Sequence, residues 1–369
     1  MGERRLMMCN EVVAEAAIVA GCRFFAGYPI SPATEVLEYM ARRMRQVGGT
    51  CMLPESEISA INMLIGASAT GARVMSATSG PGWDLMQEGV REMAFLQLPC
   101  VIVDVSRAPI GIGPSQGDYF QCTKGGGHGD YRLIVLAPAT VQESADLTRK
   151  AFWLADRYRT PVVVLTDAAL GHASEPVSFP ERLEPALPPK SWAVTGAAGR
   201  RPNRVNTEDK AGLGGDSREI WGGFEAFIRE LRRKYDEIEA HETEVDSFLA
   251  EDARIVVVAF GTSARVTRTA VREARKRGIA AGLIRPITLW PFPSAAIAEM
   301  AQRAEAVLTV EMNTGQMVED VERAVGGRTP VRFLGRQGGV VPSPDEVLAA
   351  IEAAGLPVRE GVHGAAQGL

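Results

Sequence analysis

The sequence predicts an α/β protein built from two units. A doubly wound parallel sheet is expected over residues 1–178, a connector with a long helix over 179–252, and a second, smaller α/β unit over 253–369. Three observations carry this. Short apolar runs alternate with helix-period segments along the chain, the signature of parallel strands joined by crossover helices. The runs CVIVDV (100–105), RLIVL (132–136) and PVVVLT (161–166) are largely apolar with no polar alternation, as strands covered on both faces should be. A length of 369 residues is about two to three times that of a typical single domain.

In order, Glu11–Ala20 reads as an Ala-rich helix and Cys22–Tyr28 as a short strand ending at Gly27. Pro32–Arg43 reads as a helix with Ser31 as N-cap and Pro32 in its first position. Thr50–Leu53 is strand-like, and Glu57–Thr70 is a buried helix rich in small residues. The strand Arg73–Ala77 is broken by Ser79-Gly80-Pro81-Gly82, and a helix follows from about Trp83 to Phe95. Strands at 100–105, 132–136 and 161–166, with a helix over Val141–Tyr158, complete the first unit.

The connector is proline-studded to Pro189, and Gly196–Gly215 reads as a polar surface loop. Trp221–Leu249 is expected to be one amphipathic helix. Phe224, Phe227, Leu231, Tyr235, Ile238, Val245 and Leu249 fall at helical spacings, opposite a solvated charged face (Arg229–Lys234). In the second unit, strands are expected at Ile255–Phe260, Ala280–Ile284, Ala306–Val310 and Val331–Leu334, with helices at Ala264–Arg277 and Gln316–Val325. Arg285-Pro286 should open a loop, and the tail after Glu360 should fray.

Composition narrows the function classes. Apolar residues make up 46% and charged residues 23%, ordinary for a globular chain. A net charge of −5 without a basic stripe argues against a dedicated nucleic-acid binder. No run reaches the length of a membrane span, and the N-terminus has no secretory apolar core. Cys9, Cys22, Cys51, Cys100 and Cys122 are widely spaced with no C-x-x-C, so they read as reduced, mostly buried thiols of a cytoplasmic protein. No P-loop, no dinucleotide fingerprint and no histidine pair at metal-ligand spacing occurs; no metal site is expected on this chain.

Four strand-end loops remain, and open α/β sheets bind ligands at the carboxyl ends of their strands. Gly27-Tyr28-Pro29-Ile30-Ser31-Pro32 delivers a hydroxyl and backbone N–H groups. Glu57 opens a helix whose apolar surroundings disfavour its charge. Ser79-Gly80-Pro81-Gly82 lets backbone approach a ligand, and Arg107 places a permanent cation where a carboxylate could bind. Each has an ordinary reading as well: a helix-dipole acid, a turn, a surface ion pair. Four together at the strand ends of one unit favour a site.

These residues also carry a resemblance. G-Y-P-I-S-P (27–32), E-S-E-x-x-A-I-N-M (55–63), G-A-R-V-M (71–75), S-G-P-G (79–82), T-K-G-G-G-H-G-D-Y-R (123–132), G-L-I-R-P-I-T-L-W-P-F-P (282–293) and E-M-N-x-G-Q-M-V-E-D-V (311–321) resemble the α subunits of 2-oxoacid:ferredoxin oxidoreductases. The likeness is to the short two-domain type acting on 2-oxoisovalerate or 2-oxoglutarate. Ser31 stands where many relatives carry threonine, which keeps the hydroxyl. The resemblance implies a pyrimidine-type thiamine-diphosphate-binding domain followed by a transketolase C-terminal-like domain, the latter mainly structural. It implies CoA-dependent oxidative decarboxylation of a 2-oxoacid to acyl-CoA and CO2, in either direction.

By the same resemblance, Glu57 is the catalytic acid facing the aminopyrimidine, with Tyr28, Pro29, Ile30, Ser79 and Gly80 around the cofactor. Ser31 and Arg107 hold the substrate's oxo and carboxylate groups, and Lys124 and His128 reach its side chain. The diphosphate with Mg2+ and a [4Fe-4S] cluster are expected on a β subunit, with γ and ferredoxin-like δ subunits and ferredoxin as further partners. Two alternatives stand beside this: a lipoamide-linked dehydrogenase β-like chain, which fits loops 27–32 and 123–132 poorly, and a catalytically idle assembly paralogue.

Overall fold

The computed structural model describes residues 4–179, 185–196 and 217–355, with the backbone alone for 217–222. The first sheet is built from β2 (Phe24–Ala26), β3 (Thr50–Met52), β4 (Val74–Thr78), β5 (Cys100–Ser106), β6 (Ile134–Leu136) and β7 (Pro161–Asp167). Their order is β3-β2-β4-β5-β7-β6, all parallel. Every residue of β4 to β7 is buried, which is why those runs lack polar alternation. Helix α1 (Cys9–Val19) touches both α2 (Thr34–Arg43) and α6 (Val141–Tyr158), and α3 (Glu57–Ala69) touches α4 (Pro81–Leu96). Short helices α5 (Tyr119–Lys124) and α7 (Ala168–Gly171) complete the unit. β1 (Arg5–Met8) pairs antiparallel with β8 (Ser174–Val177) in a separate ribbon.

Several expectations are corrected. Ser31 does not cap the second helix: the Ala33 N–H donates to the Ile30 carbonyl (2.8 Å), making a turn, and α2 starts at Thr34. The long helix, α8, runs Ser217–His241 and stops there. Val245–Phe248 is instead β9, antiparallel to β11 (Ala281–Pro286), and Leu249 takes a left-handed backbone (φ 51°). Val245 and Leu249 continued the helical spacing only by coincidence. The loop expected at Arg285-Pro286 is strand, and after Ile287 the residues Thr288–Trp290 (β12) join the first sheet antiparallel to β6. The 196–215 loop falls, from residue 197 on, outside the described residues, as does the tail after Glu360.

The second sheet has the order β14-β13-β10-β11-β9, with β10 (Ile255–Val258), β13 (Ala306–Glu311) and β14 (Val331–Gly335) parallel to β11. Helices α9 (Gly261–Lys276) and α12 (Pro344–Ala354) pack together, and α10 (Ser294–Ala301) packs on α11 (Met317–Val325). The sequence reading missed α10 and α12, although Ser343 and Glu346 form a capping box on α12. The two units share one core. Phe260, Leu289, Trp290 and Met317 cluster with the first unit's residues, and Tyr235 of α8 meets Trp290 edge-on at 5.8 Å.

Candidate active site

The strand order fixes where a ligand can bind. From β2 the chain steps outward to β3 and then returns to the other side of β2 as β4, so the connections diverge between β2 and β4. Such a switch point opens a crevice at the carboxyl ends of the strands. The Gly27–Pro32 loop follows β2 and the Ser79–Gly82 turn follows β4. Glu57 follows β3, and Arg107 follows β5.

Glu57 is the first residue of α3, whose N-cap Ser56 accepts from the Ser59 N–H (3.2 Å). It is 4% exposed, and its carboxylate lies against Gly82 and Thr78: a Cβ at Gly82 would stand 2.9 Å from Glu57 Cδ and closer still to Oε1. Only glycine leaves the room that carboxylate occupies. The expectation of a buried helix is corrected to a helix with one buried face. Glu57, Ala60, Ile61, Leu64 and Ser68 make one buried face, while Ile58 is 50% exposed.

Arg107 reaches across the crevice and donates from Nη1 to the Ser31 carbonyl (2.7 Å). Its Nε has no hydrogen-bond partner among the described residues. Gly80, at φ 39°, approaches the Arg107 stem, 3.8 Å from where its own Cβ would be. The Ser79–Gly82 turn is thus flanked by Glu57 on one side and Arg107 on the other. The Oγ of Ser79 and the Oγ1 of Thr78 are buried and find no hydrogen-bond partner among the described residues. Tyr28 and Pro29 are exposed and Ile30 half-buried at the mouth.

A hollow of about 660 Å³ opens beside Arg107, lined by Gly80, Asp84 and Asp118 on one wall and by Met312 and Asn313 on the other. The second unit therefore contributes a wall, which the sequence reading missed. Glu311 builds that wall by accepting from the N–H groups of Met317 and Val318 (both 2.9 Å) and from Asn313 Nδ2 (2.9 Å). Burial pushes its carboxyl up, partly offset by those bonds. Gln116 ties the walls together: its Oε1 accepts from Ser263 Oγ and the Met312 N–H (both 2.9 Å), and its Nε2 donates to the Phe260 carbonyl (2.9 Å).

Lys124 opens on a different hollow, with Arg132, Trp290 and Arg323, and its Nζ donates to Asp320 Oδ2 at 2.6 Å. His128 is exposed on a loop that lies over α4, where Gly126 and Gly129 pass close to Gln87 and Phe95. The geometry groups Glu57, Ser31, Arg107, Ser79 and Gly80, and leaves Lys124 outside that group. Among the described residues no cluster of three metal-ligating side chains occurs, all five cysteines are free thiols, and no helix is long and apolar enough to cross a membrane.

The sequence reading also missed Asp104, an acid inside the apolar run CVIVDVS. It is fully buried in β5, and burial together with the nearby Asp118 charge holds its carboxyl well above the usual carboxylate range. Burial raises Asp118 as well.

Comparison with known proteins places these features in company. Residues 15–246 match the thiamine diphosphate-binding family of pyruvate flavodoxin/ferredoxin oxidoreductases, and residues 253–347 match core domain II of pyruvate:ferredoxin oxidoreductase. The chain is 49% identical to ketoisovalerate oxidoreductase subunit VorB of Methanothermobacter thermautotrophicus, over 93% of this chain and 95% of that one. It is 38% identical to 2-oxoglutarate synthase subunit KorA of the same organism, over 95% and 99%. The solved 2-oxoglutarate:ferredoxin oxidoreductase of Magnetococcus marinus, with 2-oxoglutarate, coenzyme A and succinyl-CoA bound, superposes with a TM-score of 0.84 at 26% identity. That match covers 96% of this chain and 65% of the solved one.

Proposed function

This chain belongs to the 2-oxoacid:ferredoxin oxidoreductase family, and from that premise we propose that it supplies the pyrimidine-side half of a thiamine-diphosphate active site for CoA-dependent oxidative decarboxylation of a 2-oxoacid. The observation that carries this reading is the convergence of Glu57 and Arg107 on the two flanks of the Ser79–Gly82 turn, at the switch point of the sheet. The residues fit the cofactor: a buried carboxyl, hydroxyls on Thr78 and Ser79 with no partner among the described residues, and a glycine turn between them and Arg107.

When bound, thiamine diphosphate supplies the electron sink for cleaving the bond between the carboxylate and the 2-oxo carbon. Glu57 exchanges a proton with the aminopyrimidine ring nitrogen. Arg107 orients the substrate carboxylate with its free guanidinium edge, and the Ser31 hydroxyl lies beside the oxo group. Tyr28, Pro29 and Ile30 close the ring side, with Ser79 and Gly80 beneath. Lys124 has its charge matched by Asp320, so a direct role toward the substrate side chain has less support, and His128 has no contact that favours one.

The diphosphate, Mg2+ and iron–sulfur cluster belong on a β-type partner, with ferredoxin as acceptor. An exposed apolar rim around the crevice, made by Tyr28, Met52, Leu53, Ile58 and Leu85, supports burial against another chain. The hollow beside Arg107 holds one cation and two acids, Asp84 and Asp118, with apolar Ile110 and Met312. Those linings favour a 2-oxoacid with one carboxylate and an uncharged side chain, such as 2-oxoisovalerate, over 2-oxoglutarate.

Two measurements on the complete hetero-oligomer test the reading. Glu57→Gln should leave assembly intact and lower ferredoxin reduction by about 10²-fold or more, the range of general acid–base groups. Near-normal turnover would sink the assignment. A kcat/KM comparison should favour 2-oxoisovalerate over 2-oxoglutarate, and the reverse order would overturn the substrate choice alone.

A further inference from the structure

We propose that a basic hollow at the amino ends of the first sheet binds a small phosphorylated molecule through Arg23, Arg157 and Arg159. It stands apart from the crevice at Arg107. Arg23 precedes β2, Arg73 precedes β4 and Arg159 lies two residues before β7, whereas the Gly27–Pro32 loop, the Ser79–Gly82 turn and Arg107 follow their strands. A strand of 7 residues such as β7 puts about 20 Å between the two ends. The connector supplies the facing wall. Val194 N–H donates to the Ala69 carbonyl (2.8 Å) and Lys190 Nζ to the Gly71 carbonyl (3.0 Å), which seats Pro188, Pro189 and Trp192 over the strand ends. The enclosed volume, about 830 Å³, is that of a small-ligand site.

Five side chains lining it are cationic and one is acidic, in a chain of net charge −5. The acid, Asp156, is taken by two of the five: Arg73 Nε lies 2.7 Å from Oδ2 and Lys190 Nζ 2.5 Å from Oδ1. No carboxylate among the described residues pairs with Arg23, Arg157 or Arg159. Helix C-termini account for part of this charge. Arg23 Nη1 donates to the Ile18 (3.0 Å) and Cys22 (2.8 Å) carbonyls at the end of α1, and Arg159 Nε to the Gln97 carbonyl (3.1 Å) behind α4. Those bonds use one nitrogen of each guanidinium. The other two of each, and all three of Arg157, make no hydrogen bond among the described residues. Arg159 carries the argument furthest. It is half-buried, with its guanidinium carbon 4.6 Å over the Trp192 ring. Burial disfavours its charge, and Glu230 of α8 offsets this without forming an ion pair. A partly buried cation without a counter-charge is costly until an anion joins it. A guanidinium fork matches the paired oxygens of a phosphate, and a concave site suits a small anion better than the convex surface of a protein.

The test is isothermal titration calorimetry of the complete hetero-oligomer, saturated with thiamine diphosphate so that the cofactor's own phosphate site is filled, against inorganic pyrophosphate and against ADP. Pyrophosphate should bind with a Kd below about 1 mM. Arg157→Gln and Arg159→Gln should each weaken it about tenfold, as loss of one hydrogen bond between charged groups does. Arg157 is exposed and makes no hydrogen bond, so its variant decides alone should Arg159→Gln fail to fold. The two probes separate the sources of the phosphate. ADP bound more tightly than pyrophosphate, with that advantage lost in Trp192→Leu, assigns a nucleotide; equal affinities assign the phosphates alone. Failure of pyrophosphate to bind, or binding that neither arginine variant weakens, overturns the proposal. The readout is binding at the far end of the sheet, so neither result bears on the assignments of Glu57 and Arg107.

Discussion

Asp104 holds its proton more tightly in the folded chain than in the unfolded one, and the sign of that difference gives a stability prediction. Its folded carboxyl lies well above the ordinary aspartate value near 3.9, chiefly through burial. The stabilisation from keeping it protonated is fully present below the unfolded value and is lost as pH rises toward the folded one. Over that window the native state is weakened by up to about 1.4 kcal/mol per pH unit for each proton the unfolded chain releases. Asp104→Asn carries no such proton, so thermal melts from pH 4 to 7 should show the variant gaining on wild type as pH rises. A gap that stays constant would mean the carboxyl is ionised in the fold. The cysteines make a parallel case. Burial pushes Cys9 and Cys22 to about 12 and Cys51 to about 11, and Cys51 is the one that is only half-buried. Native alkylation should therefore be slow and reach Cys51 first, as peptide mapping after brief iodoacetamide treatment would show.

At the scale of elements, α3 and α4 are pressed together by two glycines with different consequences. A Cβ at Gly89 would meet Ile61 Cγ2 at 2.5 Å, and a β-branched side chain in a packed core has nowhere to turn. Gly89→Ala should cost about 1–3 kcal/mol of stability, as overpacking does. A Cβ at Gly82 instead meets the carboxyl tip of Glu57, which can swing away, and the Oγ1 of Thr78, a buried β-branched side chain. Gly82→Ala should cost less stability than Gly89→Ala and depress turnover by moving the carboxyl. Equal thermal losses in both variants would contradict this division. What the sequence disclosed at this scale follows the same physics. Continuous apolar runs identified β5 to β7, because parallel strands bury both faces. Glycines and prolines near the ends of β2 to β5 located the four loops of the site. Spacing alone could not end α8, since Val245 and Leu249 stay in helical phase while their backbone pairs with β11. Nor could it show that Thr288–Trp290 crosses to the first sheet, because a three-residue strand has no period to read. Asp104 was visible as an acid in an apolar strand, but its complete burial is set only by the fold.

For the whole molecule, the firmness with which the second unit is held matters to the site, since that unit supplies one wall of the hollow beside Arg107. Beside the shared apolar core and the β12–β6 pairing, polar contacts hold that unit. Arg285, nearly buried, grips Glu143 with two bonds (3.0 and 2.8 Å). Tyr119 donates to Asp320 (2.6 Å), which also receives Lys124. Gln116 satisfies the Phe260 carbonyl, the Ser263 hydroxyl and the Met312 N–H, while its own carbonyl accepts from Asn313 Nδ2 (2.9 Å). Gln116 is the most informative to remove, because it touches the wall directly and carries no charge. Gln116→Ala leaves buried polar partners unpaired, each worth about 1–3 kcal/mol, enough to loosen the join without unfolding either sheet. The expected result is a melt that broadens or splits into two transitions, with KM for the 2-oxoacid rising as Met312 and Asn313 lose their fixed place. Asp320→Asn provides the contrast, since it weakens the Tyr119 and Lys124 contacts away from that hollow. It should lower the melting temperature with little change in KM. If Gln116→Ala melted in one sharp step with wild-type KM, the second unit would be a support for the site and not a part of it.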